Sequence, residues 1–422
     1  MRHLPKKSTV IQLLPAIVFL LFLTAVAAWN LLVPDREFSQ MENRPLASVP
    51  RVTADAVRSG QWMSDFETYT SDQFPCRDGW MQLQTVLTRL SSRQDNGRVW
   101  FADDGWLFSM EKPDEKGLAK NLQIVSRWID QTQKSHPNVN VSILLAPTAH
   151  SVMEEKLPDH VLTDRPEEAA LSDSLTFLHS QVPDAVAPDL LQGLLQWRSS
   201  TASSGESAIG AESGASQLYY RTDHHWTSEG AYIAYCQWAE EAGLTPVSPS
   251  EFQRNEVSKS FLGTTWSKAP DPLIEADTIT CWTPLSQPQY SLAAWTDGND
   301  PSVTEQRSSL YRKEALSQKD QYSFFLGGND PQLLIRTPVR NGKKLLLIKD
   351  SYANCMVPFL ALHYEEILIT DLRYSHGTLY NDGRWPESDA SASLPVTDIM
   401  FLYNIQSFSE DSNLAWLTRL EW

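Results

Sequence analysis

The segment KKLLLIKDSYANCMVPFLALHYEEILITDLRY, residues 343–374, constrains the fold more than any other stretch of the chain. Leu345–Ile348 form an unbroken apolar run that ends in Lys-Asp-Ser, an apolar helical segment comes next, and a second strand closes with Ile367–Thr370. Strand, helix and strand in that order make a βαβ unit, whose crossover is right-handed. The amphipathic KNLQIVSRWIDQTQ (120–133) feeding NVNVSILLAPTAHSV (138–152) is a helix leading into another buried strand, and VTDIMFLYN (396–404) supplies a last one. The expected fold class is α/β, a sheet with buried strands joined by helices.

Asp350 and Ser351 stand where the first strand of this unit ends and a helix is expected to begin. Sites in open α/β sheets form at the carboxyl ends of strands. A helix start also offers unpaired N–H groups for a developing oxyanion. Serine is equally a good helix cap, so the position alone does not make it a nucleophile. A nucleophilic serine needs a base. Among nine histidines, His225 in QLYYRTDHHWTSEGAYIAY (217–235) has a carboxylate, Asp223, two residues earlier and a helix directly after. In an extended segment residues i and i+2 face the same way. Asp223 can then accept from one ring nitrogen of His225 and leave the other for Ser351, with His224 on the opposite face. A hard-metal site would require several converging carboxylates, and no upstream Asp-x-Asp run provides them, so neither metal nor cofactor is expected.

The net charge of −17 over 422 residues argues against a nucleic-acid partner. Cys76, Cys236, Cys281 and Cys355 lie far apart, without zinc spacing, and are expected mostly as free thiols. After Arg2, Lys6 and Lys7, residues 11–33 carry no charge, long enough to cross a bilayer. The positive flank puts residues 1–9 in the cytoplasm and the body outside, with 10–33 as an uncleaved signal anchor. The rival is a signal peptide cut near Ala25–Ala27. The remaining divisions are a linker and helical segment over 34–95 and a catalytic domain over 96–422. That domain holds a Ser/Gly/Ala-rich loop at 198–217 and a polar insertion at about 244–320.

TDHHWTSEGAY, LLLIKDSYAN and ILITDLRY, with FSQMENRPLASVP, DFETYTSDQFPCRDGW and DDGWLF upstream, resemble the DHHW family. That family is similar to the SGNH-hydrolase-like polysaccharide O-acetyltransferases of the AlgX and AlgJ type. The resemblance implies an SGNH-hydrolase-like α/β fold, flavodoxin-like and three-layered, in which the acid–base pair precedes the nucleophile. It gives Asp223 the acid role, His225 the base role and Ser351 the nucleophile role. It sets Arg373 in the substrate groove, and through YSFFLGGND (322–330) makes Asn329 an oxyanion donor; Asn404, Trp226 and Tyr352 are further binding or oxyanion candidates. Lys349 departs from the pattern, standing where many relatives have glycine. The implied activity is extracytoplasmic O-acetyl transfer to a cell-surface or exported polysaccharide. The implied partner is a membrane-bound O-acyltransferase that supplies acetyl groups. An esterase using the same triad and a non-catalytic glycan-binding protein are the alternatives.

Overall fold

The structure, a computed structural model, describes residues 7–158, 161, 166–204, 217–297, 303–375 and 396–419. Its chain divides into two compact units, Met1–Arg93 with Ser267–Leu273, and Gln94–Trp266 with Ile274–Trp422.

In the first unit, helix α1 (Lys7–Leu32) contains Leu13–Asn30, the one stretch among the described residues long and apolar enough to span a bilayer. Strands β1 (Phe38–Ser39) and β2 (Arg44–Pro45) pair antiparallel, and α2 (Ala54–Ser59), α3 (Gln61–Asp72) and α4 (Arg77–Leu90) come after them. Thr53 caps α2 through the Ala56 N–H, and Gly60, at φ 79°, supplies the left-handed residue that ends it. Buried Asp72 accepts from Arg44 Nη1 at 2.9 Å and from the Ala47 N–H at 2.9 Å, fixing the connector against α3.

The second unit opens with a hairpin, β3 (Val99–Phe101) and β4 (Leu107–Ser109), turned by left-handed Asp104 and Gly105. It continues through α5 (Glu115–Ser135), β5 (Asn140–Ala146), α6 (Ala149–Val152), α7 (Pro166–Gln181), α8 (Leu190–Ser204) and α9 (Ser228–Glu241). Next come β6 (Phe252–Phe261), α10 (Thr264–Lys268), β7 (Asp277–Pro284), β8 (Ser291–Trp295), β9 (Thr304–Arg307) and β10 (Gln332–Arg336). The last elements are β11 (Lys344–Lys349), α11 (Val357–Leu360), β12 (Glu366–Thr370), α12 (Leu372–Ser375), β13 (Asp398–Asn404) and α13 (Ile405–Glu410).

Seven strands form the main sheet in the order β5-β13-β11-β12-β10-β8-β9. The first four are parallel, and β10, β8 and β9 add antiparallel. The parallel strands are buried almost end to end because helices cover both faces. Trp128 of α5 meets Phe401 edge-on at 5.6 Å on one face, and Trp238 of α9 donates to Ser142 Oγ at 2.9 Å on the other. The pleat separates the two contacts, since Phe401 pairs with Ile143 and Ser142 with Met400.

Two expectations need correction. The polar region expected as an insertion at about 244–320 contributes to the main sheet: β8 and β9 extend it, and β6 pairs with β7. Their register is hidden in sequence because β9, TEQR, is short and wholly polar. Residues 198–204 continue helix α8 rather than opening a loop, and the rest of that stretch up to 216 lies outside the described residues.

Candidate active site

Parallel pairing sends β11, β13, β5 and β12 out of the same edge of the sheet. Because β10 runs the other way, its N-terminal end pairs beside the end of β12, Gln332 opposite Thr370. The segment Gly327–Pro331 therefore arrives at the edge where β11 delivers Asp350 and Ser351.

Strand β11 leads into a 3-10 turn, Ser351–Cys355, and then into the single-turn α11, not into the longer helix expected from sequence. Pro358 at the start of α11 explains the break, since it has no N–H to give. Asp350 caps this turn: its Oδ1 accepts from the Tyr352 N–H at 2.9 Å and its Oδ2 from the Asn404 N–H at 2.9 Å. Burial pushes the Asp350 carboxyl up, opposed by nearby Arg373 and these two N–H groups. With the capping done by Asp350, the Ser351 hydroxyl is released for another partner.

That partner is His225. Its Nε2 lies 2.7 Å from Ser351 Oγ and its Nδ1 lies 2.5 Å from Asp223 Oδ1. A ring that donates Nδ1–H to a carboxylate presents Nε2 as acceptor to the serine hydroxyl. Asp223 and His225 are both buried, and Ser351 is half-buried. Burial alone would raise the Asp223 carboxyl, but the electrostatic influence of the neighbouring His224 and His225 rings and hydrogen bonds from His225 and the Thr264 N–H outweigh it. The group is held well below the usual carboxylate range.

The pair does not arise from strand alternation. Residues 221–225 bend, and the His225 N–H returns to Asp223 Oδ1 at 3.1 Å, an Asx-type turn. His224 therefore does not point to the opposite face: its ring lies 3.8 Å from the ring of His225, and its Nδ1 is 2.5 Å from Thr264 Oγ1. Asp223, His224 and His225 could in principle ligate a cation together. Both ring nitrogens of His225 and both oxygens of Asp223 already hold hydrogen bonds, an arrangement suited to moving a proton.

The other sequence candidates fare differently. Trp226 is fully buried and its indole N–H donates to the Tyr352 carbonyl at 2.8 Å, so it fastens the two halves of the site rather than facing a ligand. Tyr352 is also buried, its hydroxyl donating to the His224 carbonyl. The Asn404 side chain holds structural bonds: its Oδ1 accepts from the Gln406 N–H and its Nδ2 donates to the Ala146 carbonyl, capping α13 and tying β13 to β5. Arg373 stands just after β12, partly exposed, and clamps Asp371 through Nε at 2.9 Å and Nη2 at 2.6 Å. Asn329 is half-buried; its Oδ1 accepts from Lys349 Nζ at 2.7 Å and from Asn354 Nδ2 at 3.2 Å.

Three residues escaped sequence reasoning. Asp223 Oδ2 accepts from the Thr264 N–H at 2.7 Å and from its hydroxyl at 2.9 Å. Gly263 is required there because a Cβ would meet Asp223 Cβ at 2.3 Å. Tyr322 stacks on the His225 ring at 3.7 Å, nearly parallel, and its hydroxyl donates to the Ser351 carbonyl at 3.2 Å. The G-T-T of residues 263–265 was the one visible hint, a glycine beside hydroxyls before a short helix.

Comparison with known proteins agrees with this architecture. The DHHW protein family profile matches residues 211–370, and that of the SGNH hydrolase-like domain of acetyltransferase AlgX matches residues 99–290. "Probable alginate O-acetylase AlgJ" of Pseudomonas syringae pv. tomato is 26% identical over 231 residues, 53% of this chain and 50% of that protein. The protein of the same name from Pseudomonas fluorescens is 27% identical over 239 residues, 55% and 52% of the two chains. The chain thus spans about half the length of the curated relatives it matches. In fold it resembles a DHHW family protein from Eubacterium siraeum, with TM-score 0.55 and 24% identity over 78% of this chain and 96% of the other. Bacillus cereus PatB1 gives TM-score 0.57 at 19% identity, over 75% of this chain and 98% of its own. By its Asp-His-His-Trp segment and these matches, the chain is similar to the DHHW and AlgX/AlgJ-like proteins, whose fold its sheet shares.

Proposed function

We propose that the protein is a serine-dependent O-acetyltransferase acting outside the cytoplasm on a cell-surface or exported polysaccharide. The observation that carries this reading is the unbroken hydrogen-bonded line Asp223–His225–Ser351, at 2.5 and 2.7 Å, at the carboxyl end of the sheet. Ser351 Oγ attacks the acetyl carbonyl carbon while His225 Nε2 takes its proton. His225 then returns that proton to the departing donor group, leaving acetyl on Ser351. A sugar hydroxyl gives its proton to His225 and attacks the acetyl carbon, and Ser351 Oγ leaves and regains a proton. Asp223 holds the imidazole orientation and the charge it carries in each transition state. The Ser351 N–H, first in its turn and so without a helical acceptor, supplies one oxyanion contact. Arg373, at the same sheet edge, is assigned to glycan contact.

The names of the AlgJ relatives support acetyl transfer to a polysaccharide. Helix α1 supports a membrane anchor, which would hold the enzyme beside a membrane-bound O-acyltransferase that delivers acetyl groups. The test is incubation of the full chain in detergent with an acetyl ester, with and without an acidic oligosaccharide. Acetylated oligosaccharide is the expected product. Acetate alone at an unchanged rate would make the protein an esterase. Turnover equal to that of Ser351→Ala in both arms would make it a non-catalytic binding protein.

A further inference from the structure

Lys349 is almost wholly buried directly behind the nucleophile turn, and the acetyl-transfer chemistry above leaves it without a task. Its Nζ donates to Asn329 Oδ1 at 2.7 Å and to Asn354 Oδ1 at 2.8 Å, with Asp371 Oδ2 at 3.7 Å. An ammonium has donors only, so both carboxamides must turn their oxygens toward it. Asn354, on the turn of Ser351, donates in turn to Asn329 Oδ1 and to the Gly328 carbonyl, each at 3.2 Å. The oxygen of Asn329 thus receives two donors. Its Nδ2 is left as the free end of a side chain that is only half-buried, at the sheet edge where Ser351 emerges. Gly327 and Gly328, at φ 85° and 97°, give the loop the left-handed course that brings Asn329 over Lys349.

We propose that Lys349 is a positioning residue: it locks the Asn329 carboxamide in the one orientation that offers Nδ2 as the second oxyanion donor. This rests on the serine acyl-transfer reading. An asparagine amide swings through half a turn with little change in shape, so a partner that accepts no hydrogen bond is what makes the orientation unique. Burying a lysine is costly, and burial does push its ammonium pKa down. The arrangement is compensated by two amide oxygens and by the Asp371 carboxylate, which also holds Arg373.

The test is a double-mutant cycle on the full chain, with kcat and KM measured on an activated acetyl ester. Asn329→Asp keeps an oxygen for Lys349 but removes the donor, and kcat is expected to fall ~10²-fold or more with KM little changed. Lys349→Met is expected to lower kcat in the same way, and Lys349→Gln, which can still donate to Asn329, to recover part of the loss. Lys349→Met combined with Asn329→Ala should be no slower than Asn329→Ala alone, within roughly threefold, because both remove one interaction. Losses that multiply, or a Lys349→Met enzyme with full kcat, would overturn the proposal. If Lys349→Met does not fold, an Asn329→Asp enzyme with unchanged kcat overturns it equally. Failure of the underlying reading is separate: there Ser351→Ala retains turnover.

Discussion

At the residue scale the site works by dividing labour between neighbours. Asp350 caps the turn, so Ser351 can hydrogen-bond His225. Asp223 receives four hydrogen bonds, from the His225 N–H and Nδ1 and from the Thr264 N–H and hydroxyl. Its depressed pKa makes it a contributor to stability that is fully present above the ordinary aspartate range near pH ~4 and lost as pH falls toward the folded value. Asp223→Asn should therefore unfold at lower denaturant at pH 7, by ~1–3 kcal/mol. The gap to wild type should narrow as pH drops below about 4, read from urea titrations across pH. Gly263→Ala would push a methyl group into Asp223. We expect ~1–3 kcal/mol of destabilisation and a ~10²-fold lower kcat from the displaced carboxylate; a fully active variant would mean that Asp223 need not sit where it does. The relevant residue types were readable beforehand. An aspartate, a histidine and a serine stood beside recognisable element boundaries, whereas Thr264 and Tyr322 act only through tertiary contacts that leave no periodic trace.

At the element scale, direction of pairing decides who meets whom. The antiparallel β10 brings the Gly327–Asp330 loop to the end of parallel β11, a juxtaposition that the apolar pattern of QLLIR does not disclose. The buried parallel strands were legible from their apolar runs; β8 and β9 were not, because β8 is short and partly exposed and the edge strand β9 is wholly polar. Strand alternation also misplaced His224, since Asp223 bends its own backbone into a turn. The 3-10 segment Gln321–Phe324 presents Tyr322 as a flat wall for the His225 ring. Tyr322→Phe keeps that wall and loses the hydroxyl contacts to Ser351 and Cys355. It should cost only ~0.5–1.5 kcal/mol. Tyr322→Ala removes the wall and should cost ~3–5 kcal/mol together with most of the turnover, as thermal melts and ester hydrolysis would record.

At the scale of the whole molecule, the four cysteines are all free. Cys76 is exposed, whereas burial pushes the Cys236 thiol up to about 11 and the Cys355 thiol up to about 12. Alkylation of the native chain at neutral pH should mark Cys76 first and the other three only on unfolding, as peptide mapping would show. Rapid native labelling of Cys355 would contradict the packing behind Ser351. The central claim is that Ser351 carries the acetyl group, and mass mapping of the chain quenched in acid during turnover of an activated acetyl ester tests it most directly. The account predicts one acetyl group, on the peptide containing Ser351, lost in Ser351→Ala and strongly diminished in His225→Ala. Acetyl on another residue, or turnover that survives Ser351→Ala, would contradict it.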